Sequence, residues 1–379
     1  MSEFRVNNLS NESSNGGPTF TGITTFSSPY FFAPPVGNTL ERPENPEPGS
    51  IRFNTDVQTL ECFRGELTGW VAIRASNDEL NGGHRGGHTG GQTDPSTRVD
   101  VIDYVTISTL GNAIDFGNLT ETTQYLSKGN CGSRSRGLYA GGYTTSDSNT
   151  IGYITIATTG DATNFGDLTV AGESGQCCSN QIRGVFGAGH PNPTATNTMS
   201  YVTIASTGDA VDYGDLNFPK NNGTATASTT RGIFWGGDNP GSPENHNIEY
   251  VTIASTGNAT DSGFDVTNFM WNCASCSNAT RAIIAGGNTP GTDANNTIEY
   301  VTIASLGNPT DFGDLAQVAN ALSGASSPTR AVWLGARTPT YLNTIQYIEI
   351  MTLGNALDFG DLTGTIAYGG SFSNGHGGL

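Results

Sequence analysis

Apolar positions in this chain fall in short β-branched and aromatic runs, separated by stretches rich in Gly, Pro, Asn and Thr. Tyr201-Val202-Thr203-Ile204-Ala205-Ser206 is a typical run, and it predicts a strand. Helix-favouring runs of Ala, Leu, Glu and Lys are missing. No apolar run approaches the length of a membrane span. The phrase that opens at Tyr201 occurs six times, at Tyr104, Tyr153, Tyr201, Tyr250, Tyr300 and Tyr347, with spacings of 49, 48, 49, 50 and 47. A second phrase precedes each copy: an arginine, about five small or apolar residues, then a Gly-rich turn. Its arginines are Arg85, Arg136, Arg183, Arg231, Arg281 and Arg330, spaced 51, 47, 48, 50 and 49.

Each repeat predicts four strands. The Tyr strand is followed by Gly-Asn or Gly-Asp, which suits a tight hairpin turn. The Asp-Phe-Gly-Asp-Leu phrase is the next strand. The Arg-to-Gly stretch is another, and a short strand such as Ala321–Ser327 fits before each arginine. Four antiparallel strands per repeat is the arithmetic of a propeller blade. A right-handed β-solenoid is the alternative. After the last Asp-Phe-Gly-Asp-Leu the chain continues without a seventh copy, so its C-terminal strand is expected to complete the first blade and close the ring.

The expected organisation is therefore an extended arm over residues 1–49, a small β-hairpin module over 50–80 and a propeller over 81–379. The arm is Pro-rich and carries Tyr30, Phe31 and Phe32, three adjacent aromatics expected to dock on a partner and act as an anchor. The hairpin module is too small to stand alone in water and needs a neighbour.

Composition narrows the function. Gly numbers 52, about twice a usual share of roughly 7%. Sixteen basic and 34 acidic residues give a net charge of −18. That charge repels phosphate backbones and anionic bilayers, so neither nucleic-acid binding nor membrane insertion is expected. No secretion signal is recognisable at the N-terminus.

A period near 50 with a double Gly after an apolar strand resembles the kelch repeat. The kelch Trp is not at its usual place; Phe116, Phe165, Tyr213, Phe312 and Phe359 stand in the last strand instead. The fold class expected is all-β: a six-bladed kelch-like β-propeller preceded by the arm and the hairpin module. The opening residues 1–26, the phrase over residues 49–73 and the repeats resemble virion structural proteins, often fibre-like, of tailed phages infecting marine cyanobacteria. The resemblance implies an N-terminal anchor to other virion proteins and an outward-displayed C-terminal domain that binds a host surface glycan or protein. It also implies a homo-oligomer, a trimer, assembled in the host cytoplasm and located in the virion. A capsid or neck decoration protein without a receptor role is the alternative, and a glycan-degrading propeller enzyme is a third reading. The expectation is a non-enzyme without cofactor or metal.

Candidate chemistry is sparse. The six arginines would ring the axis, as an anion site or, the reading preferred, as blade-to-blade structure. The repeated acids Asp115, Asp212, Asp311, Asp358, Asp167, Asp215, Asp314 and Asp361 suggest Asx turns and salt bridges to those arginines rather than calcium sites. Cys131, Cys178 and Cys276 each lie five residues before a repeat arginine and read as small buried hydrophobes. Cys273 and Cys276 form a lone C-x-x-C without the second pair a zinc site needs. His84, His88 and His376 fall near the closure seam, where Gly-rich packing is preferred to a metal clasp. The loops after each Gly-Gly turn vary most and would share one face, where binding sits on rigid scaffolds. Tyr143, His190, Asn239 and Asn288 start those loops and are the candidate ligand-binding residues.

Overall fold

The computed structural model describes residues 34–56, 59–66, 69–73, 84–187, 189–191, 194–238, 247–267 and 270–379. The chain divides into two compact units, 1–77 and 78–379. Tyr30, Phe31 and Phe32 lie outside the described residues, so the expected anchor is not described.

The first unit contains a four-stranded sheet. Ile51–Asn54, Thr59–Phe63 and Trp70–Ile73 form an antiparallel meander. Val36–Gly37 adds a short parallel strand, so the sheet takes in residues ahead of the boundary expected at residue 50. Its interior is polar. Glu61, 1% exposed, accepts from Arg42 at 2.6 Å and from Asn54 at 3.1 Å, with Arg52 at 3.7 Å. The Arg42 guanidinium holds the Glu61 carboxyl below the usual carboxylate range. Removing one member of such a group would leave the others buried and uncompensated.

The second unit is all-β and β-propeller-like, built of four-stranded antiparallel sheets. Among the described residues these are Gln176–Ser179 to Val211–Asp215, Thr224–Ala227 to Thr260–Asp265, Ala274–Ser277 to Thr310–Ala319, and Ser323–Ser326 to Leu357–Asp361. A further four-stranded sheet joins the two ends of the unit: Gly370–Ser373 pairs antiparallel with Arg85–Thr89, followed by Val101–Thr106 and Ile114–Asn118. The sheet of Arg136–Ala140, Thr150–Thr155 and Thr163–Asp167 has three strands, where four were expected. The stretch that would have been its fourth keeps only part of that pairing, through Ser127 with Ala140, Cys131 with Leu138 and Gly132 with Gly137, and residues 128–130 turn away from it. Lys128 instead bridges Gln176, Gly129 bridges Ala225 and Asn130 bridges Ser371. Gly129 permits this: a Cβ there would stand 1.9 Å from the Cys177 carbonyl oxygen.

The Asp-Phe-Gly phrase proves to be a β-bulge. In the first sheet Ile102 pairs with Gly117 and Asp103 with Asp115, so Phe116 is the extra residue. Phe165, Tyr213, Phe312 and Phe359 repeat the pattern. The bulge turns the ring inward, leaving Phe116 3% exposed and edge-on to Tyr104. The following glycine has φ of +146° at Gly117 and +157° at Gly166, which disfavours any other residue. A Cβ on Gly117 would stand 2.5 Å from the carbonyl oxygen of Gly160 in the next sheet.

The Gly-Asn and Gly-Asp dipeptides do not form the two-residue hairpin turn expected of them. The chain reverses earlier, as in the Thr109 N–H to Thr106 bond, and the dipeptide lies against the neighbouring sheet. The Gly160 N–H donates to Phe116, and the Asp161 side chain accepts the Asn118 N–H at 3.0 Å. Asp209, Asn258, Asn355 and Asn112 accept in the same way. Asn and Asp interchange here because only an acceptor oxygen is required.

At the opposite end of the strands, Tyr125, Ser174, Asn222, Asn272, Ala321 and Tyr368 all have φ between 55° and 62°. Their backbones form a circuit in which each N–H donates to the previous member's carbonyl: Ser174 to Tyr125, Asn222 to Ser174, Asn272 to Asn222, Ala321 to Asn272, Tyr368 to Ala321 and Tyr125 to Tyr368, at 2.7–3.0 Å. Left-handed backbone costs about 1 kcal/mol at each such residue, so the circuit is held by the surrounding sheets.

Phe372, 1% exposed, packs with Phe116 in the sheet that joins the two ends. Gly87 and Gly137 make room for it, since a Cβ on either would meet its atoms within 2.8 Å. Deleting residues 370–379 removes this strand and this ring. Calorimetry of the full-length and shortened chains should show the main cooperative transition lost or shifted down by more than about 10 °C; an unchanged transition would show that the last strand is dispensable.

Candidate functional site

Three registers of side chains repeat through the second unit. The first is the arginine series. Each guanidinium lies over the Tyr of its own sheet, 4.2–5.0 Å from the ring centroid. Each also donates to a backbone carbonyl of the next sheet. Arg85 reaches Ile156, Arg136 Ile204, Arg183 Ile253, Arg231 Ile303, Arg281 Ile350 and Arg330 Ile107. The planar fork suits both contacts at once. The expected salt bridges to the repeated aspartates do not form. Asp115, Asp212, Asp311 and Asp358 are exposed in the outer strands, and Arg330–Glu349 is the one ion pair of a repeat arginine among the described residues.

The second register lies on the loop face, seven residues after each arginine: Gln92, Tyr143, His190, Asp238, Asn288 and Arg337. Each forms a two-residue bridge with the residue before a left-handed position, namely Ala367, Gln124, Glu173, Asn221, Trp271 and Asn320. The structure thus brings the candidates Tyr143, His190 and Asn288 to equivalent places. In the fourth repeat the equivalent residue is Asp238; Asn239 lies outside the described residues. Counting seven from each arginine would have located Gln92, Asp238 and Arg337 from the sequence. The face is mixed in charge and rich in aromatics. Arg98 lies over the Tyr143 ring at 5.5 Å. Arg337 donates to the Tyr368 hydroxyl, and Tyr368 meets Tyr125 edge-on with centroids 4.9 Å apart. Asn272 donates to Asn288 at 3.2 Å. Glu173 is pushed up to about 7 by burial and by nearby Asp147, and burial raises Asp238.

The third register had no counterpart in the sequence reading. It is the residue before each repeat Tyr, a buried acceptor for the backbone N–H that follows the outer strand of the preceding sheet. Asp103 accepts from Thr363 at 2.9 Å, Glu249 from Asn217 at 2.6 Å, Glu299 from Thr267 at 3.3 Å and Gln346 from Ala316 at 2.7 Å. Burial pushes the Asp103 and Glu299 carboxyls up. In the second repeat the position is Gly152, and the Tyr139 ring fills the space. Its hydroxyl accepts from Thr120 at 3.3 Å. The third repeat has Ser200.

The cysteines Cys131, Cys177, Cys178, Cys273 and Cys276 are buried and free. Among the described residues no group of three or more His, Cys, Asp or Glu side chains is placed to hold a metal ion. His84, His88 and His376 do not converge. The His88 Nε2 faces the Gly90 carbonyl at 2.9 Å, and His376 bonds with Ser179 and with the Gly378 N–H. Two lysines are also buried. Lys220 pairs with Glu249 at 2.8 Å, whereas Lys128 donates to the Asn272 side chain at 3.1 Å and is pushed down to about 8 by burial.

Compared with known proteins, the chain matches no family model, and no curated protein matches it.

Two predictions concern these registers. Replacing Arg183 with Met removes one carbonyl cap and one ring contact and should cost about 2 kcal/mol in chemical denaturation. Lys at that position should recover less than half, because an ammonium cannot span both partners. The second concerns pH. His88 and His376 are fully buried and pushed down to about 4 by loss of water. Unfolded His titrates near 6.5, so below that pH the unfolded chain binds protons that the folded chain refuses. Their contribution is fully present above about 6.5 and is lost as pH falls toward 4, by about 3 kcal/mol for each His. Glu173 works in the opposite direction. Denaturation midpoints at pH 7 and 4.5 measure the loss, which should shrink by about half in His376→Gln.

Proposed function

We propose that the chain is a virion structural protein whose second unit is a six-bladed, kelch-like β-propeller closed by its own C-terminal strand and displayed outward as a host-binding module. What supports the propeller is the pairing of Gly370–Ser373 with Arg85–Thr89, together with the hydrogen-bond circuit that returns to Tyr125. What supports a binding role is the loop-face register. A backbone repeated to high regularity carries six different side chains there, Gln92, Tyr143, His190, Asp238, Asn288 and Arg337, at positions where the scaffold itself demands no particular residue. The arginine register, by contrast, is uniform because each blade needs it.

The phage assignment rests on the resemblance of the opening residues and the repeat wording. In this reading the N-terminal arm, with Tyr30, Phe31 and Phe32, anchors the protein to other virion components. The sheet over residues 36–73 mediates self-association as a trimer. Its exposed Val36, Leu40, Ile51 and Leu60 are the apolar surface that such association would cover. The protein acts by binding and not by catalysis, on a host surface glycan or protein, with no cofactor.

The test is antibody against residues 81–379 on intact particles, viewed by electron microscopy, paired with host-cell binding of the purified full chain. Label at a tail or fibre tip, with binding reduced at least tenfold by combined substitution of Tyr143, His190 and Asn288 with Ala, is the expected result. Label over the head or neck without cell binding would replace receptor binding with decoration. No label would remove the virion assignment.

A further inference from the structure

The third repeat breaks the register of buried acceptors, and a cavity stands where the acceptor is missing. In five repeats a side-chain oxygen from Asp103, Tyr139, Glu249, Glu299 or Gln346 takes the N–H that follows the preceding outer strand. In the third repeat that N–H belongs to Thr169, and the residue facing it in the register is Ser200, 4% exposed. A Ser side chain is two bonds shorter than Gln or Glu and one shorter than Asp, and it makes no hydrogen bond with the Thr169 N–H. Nor does the neighbouring position compensate as Tyr139 does in the second repeat. Between Ser200 and Thr169 lies a cavity of about 30 Å³, also bordered by Thr196, Thr198, Gly187 and Pro191. One water needs roughly 10–15 Å³ by the same measure, so the space takes two water-sized groups, the size of a carboxylate. Gly187 borders the space with backbone alone; a Cβ there would point instead at Met199 and Phe234, 2.9 and 3.1 Å away.

We propose that this cavity binds the carboxylate group of an exogenous ligand, which accepts the Thr169 N–H in place of the missing side chain. The Ser200 and Thr198 hydroxyls are donors to its second oxygen. The chemistry is that of Asp103 with Thr363, where the carboxylate accepts from both the N–H and the hydroxyl of one residue at 2.8–2.9 Å. Pro191 and Thr196 belong to the loop that follows His190, so the carboxylate could come from a small free acid or from a uronic acid at the end of a glycan. The site stands on this cavity whether or not the virion reading holds.

The experiment uses the full chain labelled with ¹⁵N and titrated with sodium acetate, with sodium glucuronate in a second arm and sodium chloride at equal ionic strength as control. The expected result is a saturable downfield shift of the Thr169 amide proton with the carboxylates and none with chloride. A response to acetate alone identifies a small free acid, and a tighter response to glucuronate identifies the sugar. Ser200→Glu should supply the acceptor from within, raise the melting temperature without acetate and abolish the shift. Ser200→Gln, which repeats the arrangement of Gln346, is the neutral counterpart should the charged variant not fold. A Thr169 amide that responds equally to chloride, or to none of these salts, overturns the proposal and leaves the cavity to ordered water.

Discussion

Successive sheets of the second unit are fastened by backbone approaching backbone, and glycine makes the approach possible. The bulge glycine of one sheet lies against the Gly-Asn or Gly-Asp segment of the next, with no room for a Cβ at Gly117, Gly166, Gly214, Gly313 or Gly360. The same step delivers a carbonyl to a glycine N–H and an Asn or Asp oxygen to the following strand. Much of the high glycine content is thereby explained as contact geometry between repeats, beyond its use in turns.

Around that contact the side chains act in layers. The bulged aromatic fills the space between sheets, the Tyr stands edge-on to it and the arginine covers the Tyr while capping the next sheet's carbonyl. Further in, the buried acceptors join sheets a second time. The left-handed residues join them a third time through backbone alone. Because each fastening runs from one repeat to its neighbour, a residue shared among repeats is explained by its neighbour's needs. Residue type varies where the fastening needs only backbone or any acceptor oxygen, as in the left-handed circuit and the buried acceptors, and on the loop face, where the side chain fastens no neighbouring sheet in most repeats.

One repeat departs from the rest without disrupting them. Residues 128–130 turn away from their own sheet, to which Ser127 and Cys131 on either side still bond, and bridge three others, which puts a buried Lys128 beside the side-chain amide of Asn272. A buried cation without a carboxylate is disfavoured, and the lowered pKa of Lys128 reflects this. Lys220, with Glu249 beside it, has the compensation that Lys128 lacks.

The sequence by itself determined the number of repeats, the strand order within them and the residues each repeat shares. Periodicity and β-branched runs are local signals, and six copies reinforce one another. It also pointed to the face on which Tyr143, His190 and Asn288 stand. What it did not reveal were the roles of the shared residues. The phrase Asp-Phe-Gly reads locally as a strand, and only the neighbouring sheet's carbonyl explains why its Gly must follow a bulge. The Gly-Asn pair reads as a hairpin turn, and only the adjacent repeat shows it to be a cap. The acceptors Asp103, Tyr139, Glu249, Glu299 and Gln346 share no residue type, so no pattern search groups them. They become a set only when tertiary structure places each beside an N–H 19 to 260 residues away. Ser200 acquires meaning the same way: in sequence it is an ordinary strand serine, and in space it marks a missing oxygen.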